Sequence, residues 1–214
     1  MSTPPSTPVL THLLYLHGFR SSPQSFKARR TLEWFAWHHP QVHVAIPHLP
    51  ASPRQAMQQV QELVRTWPKN SMAVMGSSLG GYYATWVAAQ YACPAVLLNP
   101  AVFPARDLAQ YIGEITSWHD PQEKQFFQPE YIGQLQALAI DPSQPPSAPQ
   151  WAMIAQGDEV LDWREMVARY PLARQTVLAG SDHALSDSFE LYLPALAQFL
   201  CTLGADAGQA VINH

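Results

Sequence analysis

The sequence is poor in charge. Only 13% of its 214 residues are Asp, Glu, Lys or Arg, and 12 basic against 16 acidic side chains leave a formal net charge of −4. Neither sign gathers into a long run, so the electrostatic footprint of a nucleic-acid binder is missing. Cysteine is scarcer still. Cys93 and Cys201 stand far apart and outside any Cys-x-x-Cys pair, which argues against zinc-ribbon and dithiol chemistry and leaves two buried thiols as the expectation. Apolar runs are short: none approaches the roughly 20 residues that cross a bilayer, and residues 1–10 have neither a positive n-region nor an apolar h-region. The expectation is a soluble cytoplasmic protein without a membrane span.

What the sequence does contain is apolar material in short packets. At 47% hydrophobic residues, a chain of this length can build one sizeable core, and a single domain over 1–214 is the default. Its 20 prolines fall between the packets, at Pro23, Pro40, Pro68, Pro100 and Pro171 among others. Runs at 13–16, 42–46, 72–75, 95–98, 151–155 and 176–178 read as buried strands. Segments 25–38, 52–67, 79–91 and 162–170 carry helical spacing, as does 186–203. Strands alternating with helices predict a doubly wound α/β architecture: a mostly parallel sheet of about six strands, covered on both faces. Pro194 interrupts the last helical stripe, which predicts a kink or two short helices there.

Residues 101–149 break the alternation. They hold Phe103, Tyr111, Trp118, Phe126, Phe127 and Tyr131, then a proline-rich connector over 141–149. A helical cap insertion is the favoured reading, with an enlarged crossover whose aromatics pack on the sheet as the alternative. Residues 204–214 read as a frayed tail.

One motif carries chemistry. Gly76-Ser77-Ser78-Leu79-Gly80 is a G-x-S-x-G pattern lying between a predicted strand and a predicted helix, the context that gives such a pattern meaning. Ser78 at its centre is the candidate nucleophile, held in a strained turn, while Ser77 points into the structure. A serine hydroxyl needs a base, which in this architecture follows it in the order Ser, acid, His. After Ser78 come only His119, in the insertion, His183, and His214, the last residue. His183, in the turn after the last predicted strand, is the candidate base. Asp158, just past the strand at 151–155, is the candidate acid; Asp162 is its rival, with a helix N-cap as that residue's other reading. Asp182 should project elsewhere. Oxyanion donors are expected from the backbone N–H groups of Leu79 and Phe19, with His17 as a loop-shaping residue. No metal and no cofactor is expected: His39 and His43 flank Pro40 and enter a strand, so they cannot share a helical face. Arg20, Lys27, Arg29 and Arg30 could meet a phosphate-bearing substrate, but a solvated helix face is the preferred reading.

Taken together, these residues resemble the YqiA-like esterases, small members of the α/β-hydrolase superfamily. The likeness lies in Leu14-Tyr15-Leu16-His17-Gly18-Phe19 with Ser21-Ser22-Pro23, in 76–86, in Asn99-Pro100-Ala101-Val102 and in 157–162, and runs from about residue 11 to about residue 203. The resemblance implies a hydrolase of acyl esters or thioesters with Ser78, Asp158 and His183 at the triad positions. Two features depart from it: the stretch 116–136, and Arg20, where a small polar residue is expected. The competing readings are a small peptidase on the same fold, and a binding protein that kept the fold without the activity.

Overall fold

The computed structural model describes residues 9–116, 122 and 124–204. Trp118, His119, His214 and all of the expected tail but Gly204 lie outside these residues. Eight strands are present among them: β1 (His12–Leu16), β2 (His43–Ala45), β3 (Met72–Ser77), β4 (Ala95–Leu98), β5 (Gly113–Thr116), β6 (Lys124–Phe127), β7 (Gln150–Ala155) and β8 (Arg174–Leu178). Helices are α1 (Phe26–His38), α2 (Pro53–Val64), α3 (Leu79–Tyr91), α4 (Pro104–Asp107), α5 (Glu130–Ala137), α6 (Trp163–Arg169) and α7 (Phe189–Cys201). Six strands form one sheet in the order β2-β1-β3-β4-β7-β8, every neighbour parallel. Its central strands are short apolar runs because a parallel sheet is buried on both faces.

Alternation along each strand divides the core. Leu13, Tyr15, Ala73, Met75, Val96 and Leu98 pack with Phe35 of α1 and with Phe189, Leu193 and Leu196 of α7. Leu14, Leu16, Val74 and Leu97 face the other way, onto α2, α3 and α6. The chain first adds β2 on one side of β1 and then β3 on the other. The loops that leave β1 and β3 therefore part company at the carboxyl end of the sheet and open a crevice there.

Three details differ from the sequence reading. Pro194 lies inside an unbroken α7; it is exposed, so the Glu190 carbonyl that loses its helical partner is on the solvent side while the buried stripe continues. Cys93 is buried, its thiol pushed up to about 12 by desolvation, but Cys201, the last residue of α7, is only partly buried. The insertion is not purely helical: β5 and β6 form an antiparallel hairpin, with Gly113 opposite Phe127 and Ile115 opposite Gln125. Ile115 and Phe127 are buried between more exposed neighbours, a period of two rather than 3.6. Phe127 and Leu135 join Leu79, Tyr82 and Tyr83 in the core, and the Tyr82 hydroxyl donates to the Leu135 carbonyl at 2.7 Å. The insertion thus packs on the start of α3, and Gln134 of α5 joins it to Ser52 and Arg54 at the start of α2.

At Gly80 a Cβ would lie 2.0 Å from the Leu16 carbonyl oxygen, whereas at Gly133 in α5 nothing is within 4 Å. Gly80→Ala should therefore cost about 3 kcal/mol or more through backbone displacement, and Gly133→Ala should raise stability by about 1 kcal/mol. Urea denaturation of the two variants checks the pair; similar midpoints would contradict the packing described.

Candidate active site

Ser78 occupies the turn from β3 into α3 at φ 57°, ψ −121°, a backbone region that costs on the order of 1–3 kcal/mol for a residue with a side chain. Four hydrogen bonds hold it there. Its N–H donates to Leu98 O at 3.0 Å, and its carbonyl accepts from Gly81 (2.8 Å), Ala101 (3.0 Å) and Tyr82 (3.2 Å). The turn closes only because its neighbours lack side chains: a Cβ on Gly76 would stand 2.1 Å from Gly80 O. Ser77, the last residue of β3, is buried.

Asp158 and His183 lie on the loops after β7 and β8 and meet at the same end of the sheet. His183 Nδ1 is 2.7 Å from Asp158 Oδ2, and the Asp158 side chain is 0% exposed. The other carboxylate oxygen accepts the N–H groups of Val160 and Leu161, both at 2.8 Å. Nδ1 is thus turned to the carboxylate, and Nε2 is the ring nitrogen that Asp158 leaves unengaged. Asp162 does something else. It is the N-cap of α6 and accepts from Arg164 N at 2.9 Å. Asp182 bonds Ser186 N and Oγ, at 2.8 and 2.7 Å, and these bonds lower its pKa.

The histidine loop is held by residues for which the sequence did not suggest this part. Asn99, fully buried after β4, donates through Nδ2 to the carbonyls of His183 (3.0 Å) and Asp182 (3.1 Å), while its Oδ1 accepts from Ala155 N at 2.7 Å. It ties the loop after β8 to the end of β7. At φ 42° its backbone is left-handed, which asparagine tolerates better than most residues. Its partners are 56, 83 and 84 residues away, so no local pattern could have announced them. The His183 N–H donates to Glu159 Oε2 at 3.0 Å. Lys27 is the third, donating to the carbonyls of Ala184 and His183, and it departs from the expected solvated helix face: Arg29 and Arg30 are exposed, but Lys27 is buried.

Phe19 and Leu79 both line a cavity of about 580 Å³ with Ser78 and His183. Leu79 is the first residue of α3, so its N–H belongs to the unpaired donors of a helix start. His17 shapes the loop after β1: its Nε2 accepts from Leu49 N at 3.1 Å, which places the proton on Nδ1, 3.0 Å from Gly18 O. Arg20, at φ 57°, reaches from this loop to the hairpin, bonding the carbonyl and hydroxyl of Thr116. A second cavity, of about 470 Å³, opens on the other side and is lined by Tyr15, Phe19, Phe26 and Lys27 together with the same Ser78 and His183. The two cavities meet at the serine and the histidine. Replacing Asn99 by Leu should cost about 3 kcal/mol, because several buried groups lose their partners at once. It should also speed hydrogen exchange at Ala155 N; wild-type protection there would mean that the amide bridge is dispensable.

Comparison with solved structures finds the same architecture in proteins of distant sequence. Est1E of Butyrivibrio proteoclasticus with bound ferulic acid is 15% identical over 94% of this chain and 93% of its own, with a TM-score of 0.72. A structure from the work on the metagenome-derived lipolytic enzymes LipS and LipT is 18% identical over 90% of this chain and 95% of its own, with a TM-score of 0.68. Mouse alpha/beta hydrolase domain-containing protein 10 is 13% identical over 88% and 89%, with a TM-score of 0.67. The fold is therefore that of the α/β hydrolases. Residues 12–201 match the model of a family described as uncharacterised protein family UPF0227. With that match over most of its length, the chain belongs to the UPF0227 family, the YqiA-like group that its motifs resemble.

Proposed function

We propose that the protein is a serine hydrolase of carboxylic esters or thioesters, with Ser78 as nucleophile, His183 as general base and Asp158 as the group that orients it. The observation that carries this reading is a convergence. A serine in a strained turn shares two cavities with a histidine whose Nδ1 is bonded to a fully buried carboxylate. In acylation, Ser78 Oγ attacks the substrate carbonyl carbon while its proton passes to His183 Nε2. The carbonyl oxygen becomes an oxyanion that the N–H groups of Phe19 and Leu79 stabilise. The C–O or C–S bond then breaks, and the leaving group takes the proton from the imidazolium. A water molecule repeats the sequence on the acyl-enzyme: its proton goes to Nε2, its oxygen to the acyl carbon, and Ser78 is released. Asp158 keeps the histidine in the required tautomer and stabilises the imidazolium.

The two cavities suit this chemistry because an ester has two arms, and each can occupy one side of Ser78. Est1E binds ferulic acid, and LipS and LipT are lipolytic enzymes; both fit an acyl-ester reading for this chain. Within the proposal the chain acts as one catalytic domain in the cytoplasm, residues 101–149 form the cap, and no cofactor takes part. Among the described residues no helix is long and apolar enough to cross a membrane.

Ser78→Ala should abolish hydrolysis of an activated ester, a loss of about 10⁶ in kcat, and should abolish labelling by a fluorophosphonate, while Ser77→Ala stays active. Absence of labelling in the folded wild-type protein would favour a binding protein. A panel of esters, thioesters and amides separates an esterase from a peptidase. Asp158→Asn should lower kcat by about 10⁴. Asp162→Asn should cost at most about 1 kcal/mol of stability through the weakened cap; the reverse ranking would move the acid.

A further inference from the structure

Lys27 is the second residue of α1, a position where the surrounding basic residues face solvent. Its side chain instead turns inward and is only 8% exposed. Nζ donates to Ala184 O at 2.9 Å and, at the longer distance of 3.4 Å, to His183 O. The His183 carbonyl also accepts from Asn99, as does that of Asp182. Three consecutive carbonyls around the candidate base are thus gripped by side chains from two different elements. No ion pair offsets the ammonium: among the described residues no carboxylate lies within salt-bridge distance of it. Asp182, Asp158 and Glu159 act on it through space. A buried, unpaired cation is costly unless its hydrogen bonds are worth more than the desolvation. Two of its three N–H groups are thus committed to the loop that carries His183.

We infer that Lys27 is a positioning residue, whose ammonium clamps the loop carrying His183 and so holds the imidazole at Ser78. The inference rests on the proposed role of His183 as base. Its working range is set by protonation. Burial pushes the Lys27 ammonium down to about 8, against the pull of Asp182, Asp158 and Glu159. The other titratable groups lining the same cavity are His17, His183 and Tyr15, the last raised well above its ordinary range by burial. Loss of the proton removes the charge from both bonds, which halves the strength of such contacts or worse, and the loop loosens. The rate should therefore fall above pH 8. Unfolding does not explain that fall. Between about 8 and the ordinary lysine value of 10.5 the unfolded chain binds more protons at this site than the folded one, so its contribution to stability rises with pH.

The test is the pH dependence of kcat on an activated ester for wild type, Lys27→Met and Lys27→Arg, with hydrogen exchange at the N–H groups of His183 and Leu185. Wild type should show a descending limb near pH 8. Lys27→Met should lose about 10- to 100-fold in kcat with little change in KM, lose that limb, and exchange faster in the loop. Lys27→Arg, charged throughout, should lack the limb and keep the protection. A folded variant that retains the limb near pH 8 overturns the inference, as does Lys27→Met with wild-type kcat and wild-type exchange. If neither variant folds, the wild-type protein decides: NMR of Lys27 Cε should titrate near 8 with the His183 amide signal following, and independent midpoints overturn the clamp. Should wild type neither hydrolyse esters nor react with a fluorophosphonate, the hydrolase reading fails. The exchange and NMR data then still decide whether Lys27 holds the loop.

Discussion

The upper end of the sheet is organised around the backbone of Ser78. At φ 57°, ψ −121° the residue sits in a region that only surrounding structure can enforce, and here that structure is the crossing of β1, β3 and α3 with almost no space between them. Gly80 lies against the carbonyls of Leu16 and His17, and Gly76 against Gly80. The same contact that strains the serine thus fixes the start of α3 against the loop after β1. Phe19 and Leu79 are brought to one cavity by this crossing, because the switch in strand order occurs between β1 and β3.

The other half of the site is a network of hydrogen bonds across loops. Asp158 is fully buried, and its carboxylate accepts from two backbone N–H groups and an imidazole. Such a group is stable inside the protein only when its acceptor sites are filled. His183 in turn is held by Asn99, Lys27 and Glu159, just after β4, on α1 and on the loop after β7. The imidazole is only 20% exposed, and the hydrogen bonds to the main chain beneath it add to that packing in fixing its orientation. Preorganisation of this kind places the cost of ordering in folding rather than in each turnover.

The insertion completes the site without contributing to the main sheet. Phe127 contacts Phe19 edge to face with ring centroids 5.4 Å apart, and Tyr111 lies 5.5 Å from the same ring. Arg20 joins the loop after β1 to Thr116 at the end of β5. These contacts couple the shape of the larger cavity to the placement of Phe19. They also give Arg20 a partner that a small polar residue in its position could not reach.

Some of this was legible in one dimension. The alternation of short apolar runs with helical segments implies a parallel sheet, since each strand is buried on both faces and each crossover needs a helix. The turn at Ser78 could be read locally because glycine at 76 is demanded by Gly80 and Ala84, a few residues on, whereas the contacts that demand glycine at 80 come from Leu16 and His17. The order Ser78, Asp158, His183 followed from the architecture rather than from distance. What the sequence could not decide involved partners far apart in the chain. Lys27 looks like its solvated neighbours until α1 is laid beside the histidine loop, 156 residues on. Asn99 is an ordinary residue before a proline until it bridges β7 and the loop after β8. The hairpin at β5 and β6 hides in an aromatic-rich stretch whose buried positions, Ile115 and Phe127, are set by packing on α3. Local composition determined the elements and the glycine-flanked turn that presents Ser78, because their main causes act over a few residues; burial and long-range hydrogen bonding, which exist only once the chain has folded, decided what holds His183 in place.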